Sequence, residues 1–286
     1  MITSTPLLAA AVALLGLGNA PDAPARSGGP GTEPPSRGVR DSRLPVLRPK
    51  LALASEKVAT PAAGARARAA LVDRALGALR TEIGPLSHPD ALRMAFGAYY
   101  SYQATYPRHV RNPYLYFVDF GLDSDTPRGY VFDMRTLQVV DGPFTVAHGR
   151  GSSPYGEAVP TAFSNRPGSN ATSLGLYVTQ ETYTFNGTAW GRHYQSVGLR
   201  LAGVSGAFNN KALSRKVVAH GAPYVTPEQA GRSEGCPAME QERAERLLPL
   251  ISNGGLVFLF SPYDPTWMRD DPWARGATGR MAAAGR

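Results

Sequence analysis

From Tyr114 onward, the chain consists largely of short runs rich in Val, Tyr, Phe, Leu and Thr. The runs include YLYFVD, GYVFDM, PFTVAHG, LGLYVTQETYTF, VGLRLAG, RKVVAHGA and GLVFLFSP. Glycine, proline, asparagine, aspartate and serine separate them, which is typical of turns between successive β-strands. Most of these runs follow one another without a helical segment between them, which argues against alternating βαβ units. The pattern therefore predicts a mainly β domain, built as an antiparallel sandwich or barrel with a few peripheral helices.

Helical periodicity is confined to a few segments. MEQERAERLLPLI interrupts the strand pattern and places Ala244, Leu247, Leu248 and Ile251 on one face. RARAALVDRALGALRTEI and HPDALRMAFGAYYSYQAT precede the β-rich region and show the same spacing. We therefore expect residues 63–111 to form an N-terminal helical segment packed on the β domain.

The first 25 residues have the features of a secretory signal peptide. The apolar run from Leu7 to Leu17 is short for a membrane span, and Ala23-Pro24-Ala25 offers a cleavage site, although no Lys or Arg precedes the run. We expect an exported protein, located in the periplasm or cell envelope, with no stable membrane span after signal cleavage.

The remaining boundaries follow from composition. Residues 26–62 are rich in Pro, Gly, Ala, Arg and Ser and predict a flexible linker. Residues 112–262 contain the strand-like runs and are expected to form the main domain. Residues 263–286 are expected to be a C-terminal tail that Trp267 and Trp273 fasten at its beginning.

The formal charge of +8 favours a polyanionic neighbour but not nucleic acid. The basic residues are scattered, many of them in the tails, and no compact basic stripe alternates with aromatic residues as in a nucleic-acid groove. We expect no nucleic-acid partner. The sequence does not indicate an oligomeric state.

Cys236 is the only cysteine in the chain, so it has no partner for an internal disulfide. Gly235 and Pro237 flank it and predict a sharp turn that presents the thiol. Because a helix is expected just beyond, the positive end of its dipole should lower the pKa of the thiol. A tight glycine turn also leaves main-chain N–H groups free to stabilise an oxyanion. The pattern favours a nucleophilic cysteine.

A cysteine nucleophile needs a base, and His220 is the first candidate. It ends the strand-like run KVVAH, lies 16 residues before Cys236, and is followed by Gly221 and a loop that can fold back. His148, in a similar VAHG, is a second candidate. The histidines lack the spacing of a zinc helix and no Gly-rich phosphate loop is present, so we expect no metal and no cofactor.

Three separate stretches resemble one known family. GRSEGCPAM, AFSNRPGSNATSLGLYVTQETY and LRLAGVSGAFNNKALSRKVVAHGA are similar to murein L,D-transpeptidases with the YkuD-type catalytic domain, in the subgroup whose motif is Gly-Arg-Ser-x-Gly-Cys-Pro-Ala. The similarity covers about residues 112–262. Two positions depart from the commoner family motif, which has a histidine where this chain has Glu234 and an Asn or Arg where it has Ala238.

The resemblance implies a β-sandwich-like catalytic domain and a cysteine acyltransferase that acts on the stem peptides of peptidoglycan, as donor and as acceptor. Cys236 would attack an L-to-D peptide bond, His220 would be the base, and the thioester would pass to an amine. The resemblance also implies inactivation by carbapenems through acylation of the cysteine. Further site residues are expected as follows: Gly221 and Ser233 shape the site, Gly235 and Cys236 supply oxyanion amides, and Arg232, Glu234, Ser173, Tyr177 and His148 are candidates for contact with substrate.

Other functions remain open. Transfer to water would make the protein an L,D-carboxypeptidase. A sortase-like cysteine acyltransferase also places His before Cys, but it needs an arginine on a strand close after the cysteine, whereas Arg243 and Arg246 fall on a predicted helix. A catalytically inactive module that binds the cell wall would keep the fold without the chemistry, and the replacement at Glu234 is compatible with it.

Overall fold

The computed structural model describes residues 61–275. The predicted signal peptide, nearly all of the predicted linker, and residues 276–286 of the predicted tail lie outside the described residues. No helix among residues 61–275 combines the length and the apolar character needed to span a bilayer.

The described chain is mostly β-sheet, as predicted. The strands are β1 (Tyr114–Asp119), β2 (Gly129–Asp133), β3 (Gln138–Phe144), β4 (His148–Gly149), β5 (Gly175–Ala189), β6 (Arg192–Gly203), β7 (Val218–Gly221), β8 (Arg232–Ser233), β9 (Ala238–Met239) and β10 (Leu256–Phe260). Eight of them form one sheet in the order β3-β2-β1-β10-β5-β6-β7-β9, and β4 pairs with β8 in a second, two-stranded sheet.

The large sheet is mixed, with two parallel pairs among neighbours that the strand pattern indicated as antiparallel. Strand β1 pairs with β10 in parallel, and so does β7 with β9, whereas the other neighbours are antiparallel. The β1–β10 pair joins residues about 140 positions apart, with Leu115 opposite Leu256. Turn signals reveal hairpins between consecutive strands but carry no information on such distant pairs.

Four helices accompany the sheet. They are α1 (Pro61–Leu79), α2 (Ala91–Thr105), α3 (Gln241–Ile251) and α4 (Pro265–Asp270). The buried face of α3 is the predicted one, comprising Ala244, Leu247, Leu248 and Ile251. Helix α2 is nearly enclosed, with ten buried residues, and its aromatic side chains join the main core beside β1 and β10. The apolar faces of these helices therefore cover the sheet and complete its core.

The beginning of the predicted C-terminal tail is part of the folded domain. Trp267, on α4, is fully buried, and its indole N–H donates to Asp271 Oδ2 at 3.1 Å. The indole N–H of Trp273 donates to the carbonyl of Val204 at 2.7 Å. The two tryptophans thus fasten the chain beyond β10, where buried residues continue to Ala274.

Candidate active site

The parallel pairing of β7 with β9 brings the segments of His220 and Cys236 side by side. His220 lies opposite Ala238 in this register, and its main-chain N–H donates to the carbonyl of Pro237 at 3.3 Å. Cys236, two residues before Ala238, lies beside Val218. The thiol and the imidazole therefore lie on adjacent segments near one edge of the sheet, with the N–H of Val218 donating to the sulfur two residues before His220.

The sulfur of Cys236 is held between two main-chain groups of the chain that enters β7. The N–H of Val218 donates to Sγ at 3.5 Å, and the thiol faces the carbonyl of Lys216 at 3.9 Å. The residue is half-buried, so the thiol is neither in the hydrophobic core nor fully in water.

The prediction of a lowered thiol pKa is wrong. Burial raises the pKa of Cys236, and the negative charge of Glu234 acts in the same direction, whereas the hydrogen bond from Val218 and the charge of Arg215 act against them. The helix dipole was expected to dominate, but α3 begins only at Gln241 and β9 intervenes. Dipole effects fall off within the first turn, so this helix end does not activate the thiol.

The imidazole of His220 is buried and oriented. Its Nδ1 lies 3.0 Å from the carbonyl of Gly221, which can only accept, so Nδ1 carries the proton and Nε2 has the free lone pair. The ring also stacks on Phe185 with centroids 4.1 Å apart. Burial lowers the pKa of His220 to about 4, so the ring is neutral near pH 7.

Thiol and imidazole are therefore both neutral at rest. Among residues 61–275, no hydrogen bond joins the His220 ring to the Cys236 sulfur. The free Nε2 still makes His220 suited to act as a base, because catalytic hydrogen bonds often tighten only when substrate is bound. The predicted pairing of these two residues is consistent with the register, and their catalytic roles stay predictions.

Gly221 is a glycine for reasons of space. A β-carbon there would lie 2.2 Å from Ser196 Oγ, 2.9 Å from Ala244 Cβ and 2.9 Å from Gln241 Cα. The bare backbone lets α3 pack against β7 next to His220. Gly221 thus shapes the site in two ways, through this close packing and through the carbonyl that orients the imidazole.

Ser233 braces the turn that carries the thiol. Its hydroxyl donates to the carbonyl of Cys236 at 2.6 Å and accepts from the N–H of Gly235 at 3.1 Å. Gly235 has φ of +121°, a conformation open mainly to glycine. Because its N–H is already bonded, the predicted oxyanion role of Gly235 is contradicted. The N–H of Cys236 has no acceptor among the described residues and remains available.

Arg232 is occupied within the chain. One terminal nitrogen donates to Ser124 Oγ and to the carbonyls of Ala230 and Gly231, and the other donates to the carbonyl of Glu157 at 2.9 Å. A bidentate grip on a substrate carboxylate would require these bonds to break. The structure thus contradicts the predicted substrate contact and gives Arg232 the task of holding the loop before β8.

Glu234 is the exposed residue of the turn. Both carboxylate oxygens accept from Nε of Arg150, at 2.9 and 3.0 Å. Both side chains are more than half exposed, so the ion pair is a feature of the surface beside the thiol. Substrate contact by Glu234 stays a prediction.

His148 does not face substrate or act as a base. It is fully buried, with Nδ1 2.9 Å from Arg128 Nη2 and Nε2 2.6 Å from Ser153 Oγ. Burial, followed by the charges of Arg128 and Arg232, lowers its pKa to about 2, so the ring is neutral. Strand β4 pairs with β8 through His148 opposite Arg232, which makes this histidine a support behind the cysteine turn.

Ser173 and Tyr177 are also buried rather than exposed in a groove, contrary to the prediction. The Tyr177 hydroxyl lies 2.8 Å from Ser173 Oγ and 2.7 Å from the Ser173 carbonyl. Arg215, which the sequence interpretation missed, donates to the same serine hydroxyl at 3.2 Å. These residues form a buried polar network behind the thiol.

The sequence interpretation also missed an aromatic wall beside the site. Tyr183 and Phe185 on β5, Tyr194 on β6 and Tyr224 after β7 surround the His220–Cys236 region. The signal for two of them was present, because Tyr183 and Phe185 alternate along LGLYVTQETYTF. Within the part of the chain described, no three His, Cys, Asp or Glu side chains gather into a metal-binding group.

Comparison with solved structures gives distant similarities. An L,D-transpeptidase from Mycobacterium smegmatis is 14% identical, over 52% of this chain and 58% of that chain, with a TM-score of 0.31. One from Mycobacterium tuberculosis is 16% identical, over 52% and 57%, with a TM-score of 0.30. In both cases this chain spans less than two thirds of the solved chain.

A comparison with curated proteins finds no match. A family model does match: YkuD_2, described as the L,D-transpeptidase catalytic domain, aligns with residues 86–260. The matched region contains His220, Cys236 and the strands around them, together with α2, which the sequence interpretation had placed outside the catalytic domain. Because the match covers more than half of the chain, this protein belongs to the YkuD_2 family of L,D-transpeptidase catalytic domains.

Proposed function

We propose that the protein is an exported peptidoglycan L,D-transpeptidase that works through Cys236 as nucleophile and His220 as base. Membership of the family supports the general activity. One structural observation, more than any other, supports the assignment of Cys236 as nucleophile and His220 as base. The half-buried thiol lies on the segment beside β7, where His220 is neutral and keeps Nε2 free.

In the first step, the sulfur attacks the carbonyl carbon of an L-to-D peptide bond in a donor stem, such as that between diaminopimelate and D-alanine. The thiol proton passes to Nε2 of His220 as the carbon–sulfur bond forms. His220 then returns the proton to the leaving amine as the carbon–nitrogen bond breaks. The products are a thioester on Cys236 and the released D-amino acid.

In the second step, an amine of an acceptor stem attacks the thioester. A carbon–nitrogen bond forms, the carbon–sulfur bond breaks, and the amine proton returns through His220 to the sulfur. Water in place of the amine would give carboxypeptidase products. Exclusion of water from the thioester would favour the amine.

The N–H of Cys236 is the main-chain group best placed to stabilise the oxyanion, because it is unpaired in the described structure and belongs to the attacking residue. The fixed orientation of His220 also contributes. Its bond to the Gly221 carbonyl stabilises the positive charge that the ring acquires during proton transfer. The negative charge on the substrate oxygen and the positive charge on the imidazole would thus each be stabilised by a main-chain group.

The test uses purified disaccharide-tetrapeptides and mass spectrometry of the products. Cross-linked dimers with loss of D-alanine are expected from the full chain, and none from the Cys236→Ser variant. Loss of D-alanine without dimers would assign the carboxypeptidase reaction instead. Identical, unchanged muropeptides with both proteins would refute the proposal and favour a wall-binding module. Consumption of a sorting-signal peptide alone would favour the sortase-like alternative.

Acylation by a carbapenem provides a second test that needs no acceptor. Incubation with the drug should add its mass to the protein, and Cys236→Ala should abolish the adduct. Cys236 is the only cysteine, so the adduct has one thiol to form on. Export from the cell is proposed from the N-terminal sequence alone, and fractionation of cells that express the full chain would test it.

A further inference from the structure

Arg215 lies in the turn before β7 and is half-buried beside the thiol. Its terminal nitrogens reach one segment, residues 164–173. Nη1 donates to the Ser164 carbonyl at 2.9 Å and to Ser173 Oγ at 3.2 Å. Nη2 donates to the Ala171 carbonyl at 2.7 Å and to Ser169 Oγ at 3.3 Å. All four terminal N–H groups are therefore used to hold this segment.

The same guanidinium is adjacent to the cysteine turn. A β-carbon built on Gly235 would lie 3.5 Å from Arg215 Nη2. The carbonyl of Lys216, the next residue, is the group that the thiol of Cys236 faces at 3.9 Å. Arg215 thus connects the segment 164–173 with the turn that carries the sulfur, and it places its positive charge beside that turn.

Few other charges act on the thiol. Glu234 is negative and disfavours a thiolate, although Arg150 neutralises part of its effect. His220 is neutral near pH 7. The remaining titratable neighbours are tyrosines that stay protonated at neutral pH because burial raises their pKa values, namely Tyr177, Tyr183, Tyr194 and Tyr224. Among these groups, Arg215 is the cation whose charge opposes the effect of burial on the pKa of Cys236.

We propose that Arg215 is a positioning residue with two tasks: its charge favours the thiolate of Cys236, and its four hydrogen bonds fix residues 164–173 as a wall beside the reacting thiol. The inference rests on the proposed function for the role of the thiolate. Arginine suits both tasks, because a planar fork can satisfy several fixed acceptors and still keep its charge. A buried apolar side chain would supply neither.

Electrostatics in the structure agrees with this geometry. Burial raises the pKa of Cys236, and the charge of Arg215 acts against it; burial likewise lowers the pKa of Arg215, and Tyr177 and then Cys236 act against that effect.

The test separates charge from hydrogen bonding with two variants of the full chain. Arg215→Gln removes the charge, whereas Arg215→Lys keeps it but cannot satisfy four acceptors. The rate of alkylation of Cys236 by iodoacetamide, followed from pH 6 to pH 10, reports the thiolate directly. Hydrogen exchange of the main-chain amides of residues 164–173 reports how firmly this segment is held. Arg246→Gln, which removes the charge of an exposed arginine on α3, is the matched control.

We expect alkylation of Arg215→Gln to be roughly tenfold slower at pH 7 and to approach the wild-type rate at high pH. Arg215→Lys should stay within about threefold of wild type, since it keeps the charge. Both variants should exchange faster at residues 164–173, and Arg246→Gln should match wild type in both measurements. This pattern would support both tasks.

An alkylation profile of Arg215→Gln that overlays the wild type would overturn the proposal. So would equal slowing in the glutamine and lysine variants, which would indicate a structural role only. If the glutamine variant does not fold, tenfold slowing of Arg215→Lys or unaltered exchange at residues 164–173 would still refute it. Alkylation of Cys236 needs no muropeptide. If the wild-type protein turns over no muropeptide, the proposed function is refuted, but the alkylation rates of the Arg215 variants can still be compared.

Discussion

The main-chain N–H of Val218 donates to the sulfur of Cys236 at 3.5 Å, from the strand that carries His220 two residues later. A donor aimed at sulfur stabilises the thiolate more than the thiol. In this site, however, burial has the larger effect and raises the pKa of the thiol. The resting enzyme thus holds a neutral thiol beside a neutral imidazole, and a thiolate forms only as the proton moves.

The alkylation rate of Cys236 should therefore rise with pH above the range of an ordinary free cysteine. We expect slow reaction with iodoacetamide at pH 7 and a midpoint on the alkaline side of a cysteine in a short unstructured peptide, measured in parallel. A midpoint below that of the peptide would contradict the neutral resting thiol and restore the prediction of a lowered thiol pKa.

Removal of the negative charge at Glu234 should have the opposite effect. Since Glu234 disfavours the thiolate, Glu234→Gln should lower the pKa of Cys236 and speed alkylation at pH 7 by about two- to threefold. Stability should change by less than about 1 kcal/mol, because the ion pair with Arg150 is exposed.

Glu181→Gln provides the matched control for this substitution. Glu181 also forms an exposed ion pair, with Arg200, but its charge is not among those that act on the thiol. Its alkylation rate should equal that of wild type. Slower alkylation in Glu234→Gln than in Glu181→Gln would show that the carboxylate helps the thiolate instead.

The parts of the fold that local sequence determines were predictable. The apolar spacing of α3 and the short β-rich runs are visible within windows of a few residues, and the resemblance of GRSEGCPAM and KVVAHGA to one family indicated the family that the chain belongs to. The parallel β7–β9 pairing that joins these motifs was not visible, because it depends on tertiary contacts.

The errors at the site have two physical causes. Alternation along β5 separates two faces but does not tell which one meets solvent, and a bulge between Thr179 and Thr182 shifts the register within the strand. Residues 175–179 at the start of β5 are buried on both faces, so Tyr177 is enclosed, as is Ser173 just before the strand, whereas Tyr183 and Phe185 beyond the bulge lie at the site. The thiol pKa was wrong because a local helix rule was applied where burial, a tertiary property, prevails.

Acid should destabilise the protein through His220. The unfolded chain binds a proton on this residue below about pH 6.5, but the folded chain does so only near its pKa of about 4. Stability from the neutral ring is thus complete above pH 6.5 and is lost as the pH falls toward 4, by as much as about 3 kcal/mol.

Denaturant unfolding of wild type and His220→Gln between pH 7 and pH 4 would measure this contribution. The difference in unfolding free energy between the two proteins should shrink as the pH falls, because the variant has no proton to take up. His193→Gln, at an exposed position on β6, should run parallel to wild type. Parallel curves for His220→Gln as well would refute the buried neutral histidine.

Ser233→Ala should weaken the turn that carries the thiol. The substitution removes the donor to the Cys236 carbonyl and the acceptor for Gly235 N–H in a buried setting, at a cost of about 2 kcal/mol. The misplaced thiol should also lower kcat by about tenfold. Ser233→Thr, which keeps the hydroxyl, should retain most activity.

Ser214→Ala serves as the control, since the Ser214 hydroxyl is exposed and donates only to the Lys211 carbonyl. Thermal unfolding and turnover of muropeptides would be measured for all three variants. Equal effects of Ser233→Ala and Ser214→Ala would show that the brace has no special part in positioning Cys236.

Gly221→Ala should destabilise the junction of β7 and α3 by about 1–3 kcal/mol. The added methyl group would lie 2.9 Å from Gln241 Cα and from Ala244 Cβ, and neither can rotate away. The helix or the strand must therefore move, and His220, whose orientation depends on the Gly221 carbonyl, must move with it. We expect loss of turnover together with a lower Tm.

Gly77→Ala is the control, because a β-carbon at Gly77 on α1 meets nothing within 4 Å and a helical alanine is favoured over glycine by about 1 kcal/mol. A Gly221→Ala variant as stable as wild type would show that α3 tolerates displacement, and the close packing would then not be what holds His220 in place.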